Sequence, residues 1–278
     1  MANRIGNSVS LMKASLNVLR LDKELMLFPI MSGIASVLVM ASFIVPVVWT
    51  GAWEIVEGTQ GGYVEMSIVF AMYVLLYTVT FYFNAALVGA ALIRLDGGDP
   101  TVGDGLAIAA KRMGSILQYA VIAATVGMIL RMISERGGLF AKIAAMIGGI
   151  AWTMATYLAV PVLVTKDISA IDAIKESAQV FKRTWGENLA GNYGLGWAMF
   201  LLFMAWSVGS VGVMIGLATV APVAVLPVML IAGAGYLFLM VLASALHGVY
   251  TAALYRYAMT GDAGVFDGQV VGNAFSPK

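Results

Sequence analysis

The chain has no cysteine and one histidine, His247, and these two shortages remove most of the usual chemistry of sites. Without thiols there is no disulfide, no thiolate nucleophile and no cysteine-ligated zinc or iron–sulfur cluster. A single imidazole makes no histidine-based metal site. No Ser-His-Asp order, phosphate-binding glycine loop, HExxH or close carboxylate pair occurs. The expectation is a protein that is not an enzyme, with no catalytic residue, no metal and no cofactor. Charge is scarce as well. Only 11% of residues are Asp, Glu, Lys or Arg, against about 25% in soluble domains. A net charge of +1 offers no electrostatic footprint for nucleic acid, so none is expected as a partner.

What is present is apolar: 61% of the chain, with a mean hydropathy of +0.91. The first apolar run, Leu25 to Trp53, is too long for the core of a cleavable signal, about 7–15 residues, and reads as a retained first span. Helices of about 20 apolar residues cross a bilayer, and charges and breakers divide the chain into six. The spans fall at roughly 25–49, 66–93, 113–132, 139–165, 188–217 and 226–255. Between Asn188 and Tyr255 there is no charged residue at all. Gly216, Pro222 and Pro227 supply the break there. Pro46, Pro161 and Pro227 lie in or near spans as candidate kinks.

Lys and Arg favour the cytoplasmic side. With the N-terminus inside, thirteen of the 16 fall on inner segments, and only Arg131, Arg136 and Lys142 fall outside. The first outer loop carries Glu54, Glu57 and Glu65 and no cation, and Trp49, Trp53 and Tyr63 flank it as interfacial aromatics. Both termini are therefore expected in the cytoplasm, with the protein multi-pass in the cell's inner (plasma) membrane.

Three inner segments are amphipathic. Residues 169–185 place Ile171, Ile174, Ala178, Phe181 and Trp185 at helical spacing, with Asp172, Lys175, Gln179 and Lys182 on other faces. Residues 101–113 and 8–20 follow suit. Ser169 with Asp172, and Thr101 with Asp104, have N-cap spacing. Each such helix precedes an odd-numbered span and reads as lying in the interface. The fold class is thus all-α: a single transmembrane domain over 1–278, six helices in three hairpins, with amphipathic helices on the cytoplasmic side.

A shift of 162 carries Val9, Met12, Leu16 and Leu19 onto Ile171, Ile174, Ala178 and Phe181. It also carries Lys13, Ser15 and Val18 onto Lys175, Ser177 and Val180. Ala90-Ala91-Leu92-Ile93-Arg94 lands on Ala252-Ala253-Leu254-Tyr255-Arg256. A shift of 71 relates Asp96 and Lys111-Arg112 to Asp167 and Lys182-Arg183 with a poorer apolar match. The repeating unit is an interfacial helix followed by a hairpin. Coincidence among similar spans is the competing account.

Polar residues inside spans are expensive and turn inward. Span 2 carries Tyr73, Tyr77, Thr80 and Asn84 at spacings of four, three and four. Span 6 carries Tyr236, Ser244, His247, Thr251 and Tyr255. The functional reading is a polar seam between spans 2 and 6, comprising Tyr73, Tyr77, Thr80, Asn84, Ser244, His247 and Thr251. The competing reading is interhelical hydrogen-bond glue. Asn84 and His247 lie at similar depth and are expected to meet. A proton relay through His247 lacks an intramembrane carboxylate in its segment. Arg131 and Glu135 make an i, i+4 pair. Gly212 with Gly216, and Ala85 with Gly89, have the spacing of close helix contacts. Asp96-Gly97-Gly98-Asp99-Pro100 lacks further ligands at calcium-loop spacing and reads as a tight turn.

Leu21-Asp22-Lys23-Glu24-Leu25, with Phe28-Pro29 and Ser32 and the tail Asn273-Ala274-Phe275, resembles a bacterial six-span membrane family of unknown function. Pro161, Ser169, Ala173, Ser177 and Trp185 also resemble, over a shorter stretch, the membrane domain of some glycerophosphodiester phosphodiesterases. Their catalytic domain is absent, so that activity does not carry over. The first resemblance implies six spans and no assigned chemistry. Three functions stay open. One is a non-enzymatic scaffold or accessory subunit acting through membrane lipids, self-association as a homo-oligomer, or other membrane proteins. A second is a small-solute or ion channel or transporter using the polar seam, since transporters often contain repeats. Last comes a lipid enzyme using Asp96 and Asp99, which lacks a nucleophile.

Overall fold

A computed structural model describes residues 2–50, 63–185 and 194–262. The described residues are helical throughout, joined by short turns. The elements are α1 (Ala2–Leu21), α2 (Leu27–Thr50), α3 (Tyr63–Leu95), α4 (Val102–Lys111), α5 (Met113–Arg136), α6 (Leu139–Thr156), α7 (Ala159–Thr165), α8 (Ala170–Trp185), α9 (Gly194–Val220) and α10 (Val225–Thr260). Six stretches are long and apolar enough to cross a membrane: Lys23–Trp49, Met66–Leu95, Met113–Glu135, Leu139–Thr165, Ala198–Ala218 and Val225–Thr260. The chain is an all-α, polytopic membrane protein.

The boundaries have local causes. Span 4 is two helices, because Pro161 has no N–H for the carbonyl of Tyr157 and its ring crowds that carbonyl. The chain breaks there, between Thr156 and Ala159. Gly216 does not end span 5, contrary to expectation; α9 runs on to Val220, and the turn is a short 3-10 segment at Pro222–Ala224. A lone glycine costs a helix about 1 kcal/mol, too little to stop an otherwise apolar helix. Pro227 sits in the first turn of α10, where a missing N–H is harmless. The second amphipathic helix ends at Lys111, and Met113 belongs to α5. Pro46 lies inside α2, which stays one element.

The short amphipathic helices share the end of the bundle where the ion pairs gather. Each rests on the hairpin that precedes it in the chain. Thus α4 packs on α3, and α8 packs on α6 and α7. Helix α1 packs on α9 and α10, the last hairpin. The three units therefore close in a cycle, and α1 joins the last unit to the first.

The core sits at this same end. It is built from Ala85–Val88, Ala90 and Ala91 of α3, Leu158–Val164 around α7, and Ala245, Leu246 and Val249–Tyr255 of α10. Small residues permit the close approach. A Cβ on Gly105 of α4 would stand 2.5 Å from Phe28 Cζ and 2.7 Å from the Ala86 carbonyl oxygen. One on Gly248 would stand 2.4 Å from Leu87 Cδ2.

Candidate functional site

Two sets of polar groups compete for the role of site: those inside the spans and those at the charged end. Within the spans most hydroxyls close on their own helix. Thr78, Thr80, Thr125, Thr153, Thr156 and Thr251 each donate to the carbonyl four residues back, at 2.7–2.9 Å. Such back-bonding satisfies the hydroxyl without a partner helix.

The structure does not bring the seven seam residues into one surface. Tyr73 and Tyr77 face α5. The Tyr73 hydroxyl accepts from Arg131 Nη1 at 3.1 Å, and Tyr77 Oη lies 3.5 Å from where a Gly127 Cβ would be. Rings of Tyr73, Tyr77, Phe81 and Tyr119 stack in sequence, with centroids 6.4, 5.5 and 4.4 Å apart. Thr80 is exposed and bonded to Leu76 O. Only Asn84 addresses α10: its Oδ1 is 3.7 Å from the Cβ position of Gly248. His247 turns elsewhere, meeting Tyr157 edge-on at 5.9 Å. Its surroundings are crowded, yet it and Ser244 keep accessible surface. Thr251 is buried. Asn84 and His247 thus sit on different sides of α10 and share no hydrogen bond in the structure. The reason is angular: Gly248, one residue on and so about 100° round the helix, occupies the face that meets α3.

At the charged end the geometry is richer. Helix α3 ends with Gly98 N–H bonded to Ile93 O at 2.9 Å and Gly97 N–H to Arg94 O at 3.0 Å, with Gly97 at φ +89°. This double closure needs the left-handed residue that glycine supplies. Asp96 to Pro100 is therefore a turn, and no group of three His, Asp or Glu that suits a metal occurs among the described residues. Thr101 and Asp104 form a full capping box on α4, and the hydrogen bonds from Thr101 hold the Asp104 carboxyl below its ordinary range. Ser169 Oγ accepts from Asp172 N–H at 3.2 Å and donates to its carboxylate, which is likewise held low, first by Ser169 and then by Lys175.

Ion pairs stitch the helix ends together. Arg94 binds Asp22, which is nearly buried, and also Asp99. Arg112 reaches Asp167 at 2.5 Å. Arg256 reaches Asp96 and Asp262, each at 3.1 Å, and donates to Leu95 O at 2.5 Å. Lys166 binds Glu176, whose hydrogen bond raises the lysine pKa. The parallels with the 162-residue shift are specific. Arg94 and Arg256 both pair with an acid shortly downstream. Ser15 and Ser177 are both fully buried. They differ in partner: Ser177 Oγ accepts from Leu158 N–H at 3.0 Å, at the break in span 4, while Ser15 Oγ has none among the described residues. The sequence reading missed the Ser177 contact. Its only signal was a serine on the otherwise apolar face of an amphipathic helix. Asn188 and Asn192 and the acids of the first outer loop at 54–57 lie outside the described residues.

Residues 63–266 match the family model described as "Family of unknown function (DUF6159)". The chain belongs to that family. The match begins at Tyr63, so the Leu21–Leu25 signature, Phe28-Pro29 and the tail Asn273–Phe275 lie outside it. No curated protein and no solved structure matches the chain. The family description names no activity.

Proposed function

We propose that this protein is a non-enzymatic membrane scaffold or accessory subunit that acts through lipid, partner or self contacts at its charged end. In this reading it lies in the cell's inner membrane, with that end and both termini in the cytoplasm, as the thirteen-to-three bias of Lys and Arg supports. The observation that carries the proposal is the division of polar groups just described. Inside the spans most of them close on their own helix, on stacked rings or on the neighbouring span, as Tyr236 does on Ser207. At the charged end, α4 and α8 hold apolar faces against the hairpins and leave a polar face outward, including Asp172, Lys175, Gln179 and Lys182.

Lysine-directed crosslinking in native membranes tests it. A defined homo-oligomer or a reproducible hetero-adduct through α4 or α8 is the expected result. A protein that stays monomeric and uncrosslinked, yet drives saturable solute flux in proteoliposomes, sinks the proposal. One observation favours the transport alternative: Ser244 and His247 are accessible in the middle of α10. Flux abolished by His247→Leu in a normally folded variant is the result that would establish it.

A further inference from the structure

A groove of about 850 Å³ lies at the charged end, between the polar face of α8 and the end of α10. Its walls include Lys166, Lys175, Lys182 and Arg183, the acid Glu176, and the apolar side chain of Met259. We propose that this groove binds the phosphate headgroup of an anionic phospholipid. The inference rests on the reading of this end as a membrane-surface contact site, and it names the ligand class.

The charge distribution is the first support. The two acids of the groove are already engaged, Glu176 with Lys166 and Asp172 with Lys175 at 3.6 Å. Lys182 and Arg183 are exposed and carry no ion pair with any described residue. The groove therefore keeps an excess of two positive charges on adjacent residues. Arginine offers a planar fork and lysine a mobile point charge, a pairing suited to phosphate oxygens. Location is the second support. Lys182 and Arg183 occupy the last turn of a helix whose other face is buried against α6 and α7. Lys166 follows directly on the apolar α7, so the cations sit where a span ends. Basic residues just beyond a span are placed to meet anionic headgroups. Shape is the third. Met259 and the buried Val180 give the groove an apolar wall, which an acyl chain satisfies and free phosphate does not. The volume is within the range of about 300–1,000 Å³ typical of ligand sites.

The test uses the full chain purified in an uncharged detergent, titrated with phosphatidylglycerol, phosphatidylcholine or inorganic phosphate and read by native mass spectrometry and thermal melting. Phosphatidylglycerol should bind and raise the melting temperature, and the other two should not. Lys182→Gln with Arg183→Gln should weaken phosphatidylglycerol about thirtyfold, in line with two juxtamembrane cations. The swap Lys182→Arg with Arg183→Lys should keep it. Arg20→Gln with Lys111→Gln, exposed cations of the same end outside the groove, should leave the affinity unchanged. If the double glutamine variant folds poorly, Arg183→Gln alone serves, with a smaller loss expected. Unchanged affinity in the groove variants overturns the proposal. So does an equal loss in the Arg20/Lys111 control, which would mark nonspecific attraction, or equal stabilisation by inorganic phosphate. Solute flux would overturn the scaffold reading and leave this titration intact, so the two failures are distinguishable.

Discussion

The two ends of the bundle are built from similar apolar residues and packed in opposite ways. On α10, Ala245, Leu246 and Val249 are fully buried, while Leu226, Leu230 and Leu237 are 62–67% exposed. On α2, Phe28 is 1% exposed and Trp49 is 87% exposed. At the charged end α3, α7 and α10 converge and the amphipathic helices cover them. At the far end hairpins are held by contacts of their own, such as Trp206 Nε1 donating to Ala232 O at 3.1 Å and Tyr236 Oη to Ser207 Oγ at 2.7 Å, and α3 meets α5 through Tyr73 and Arg131. A leucine facing lipid loses nothing by being exposed there, because acyl chains are as apolar as its neighbours. The hydrophobic effect therefore does not draw the far end together, and close packing is confined to where small residues and ion pairs enforce it.

Glycine substitutions give the sharpest break in this contrast. Gly105→Leu should prevent α4 from seating on α3, a loss of about 3 kcal/mol or more by overpacking, seen as a collapse of the melting temperature in detergent. Gly212→Ala and Gly233→Ala, with open space at the Cβ, should be neutral or slightly stabilising, by up to about 1 kcal/mol of helix propensity. Equal damage from both classes would show that the far end is packed as tightly as the core.

Removing a cation at each end compares the same chemistry in two settings. Arg94→Met leaves the nearly buried Asp22 unpaired and should cost about 2–3 kcal/mol, below the full penalty for a deeply buried pair because Arg94 is 21% exposed. Arg131→Met breaks a pair whose partners are each about 60% exposed. It should cost less than about 1 kcal/mol. Melting of the two variants in the same detergent measures the difference.

The buried serines refine the comparison within the charged end. Ser177→Ala deprives Leu158 N–H of its acceptor and should cost about 1–3 kcal/mol. Ser15→Ala, whose hydroxyl has no described partner, should cost close to nothing. A large loss at Ser15 would reveal a contact shared by both copies of the repeat.

The two capping acids of the charged end carry a smaller, pH-dependent effect. Asp104 and Asp172 have folded pKa values below the ordinary 3.8. Their contribution is fully present above that value and is lost as pH falls through the lower folded value. The share of thermal stability that these two acids carry should hold from pH 7 to 5 and decline below about 4. Asp104→Asn with Asp172→Asn should flatten that decline.

The smallest expected effect is the coupling between Asn84 and His247. Since one faces Gly248 and the other Tyr157, the losses from Asn84→Leu and His247→Leu should add within about 0.5 kcal/mol. A double variant that loses much less than the sum would restore the polar seam that the sequence suggested.

The sequence by itself determined the number of spans, their hairpin order, the N-caps at Thr101 and Ser169 and the turn at Gly97, because each follows from chain-local chemistry. Apolar run length, a hydroxyl three residues before a carboxylate, and a glycine after a helix need no distant partner to be read. The break at Tyr157 was half legible, since Pro161 announces a defect but not whether the helix kinks or parts. Tertiary structure alone decided which face of α10 meets α3, and with it the fate of the supposed seam. Helical spacing places Asn84 and His247 at the same depth, but only packing sets the rotation of one helix against another. Gly248 wins that face over His247 because close backbone approach requires the absence of a side chain. The same limit hid the cycle in which α1 closes on α9 and α10, a contact between the two ends of the chain that no local pattern encodes.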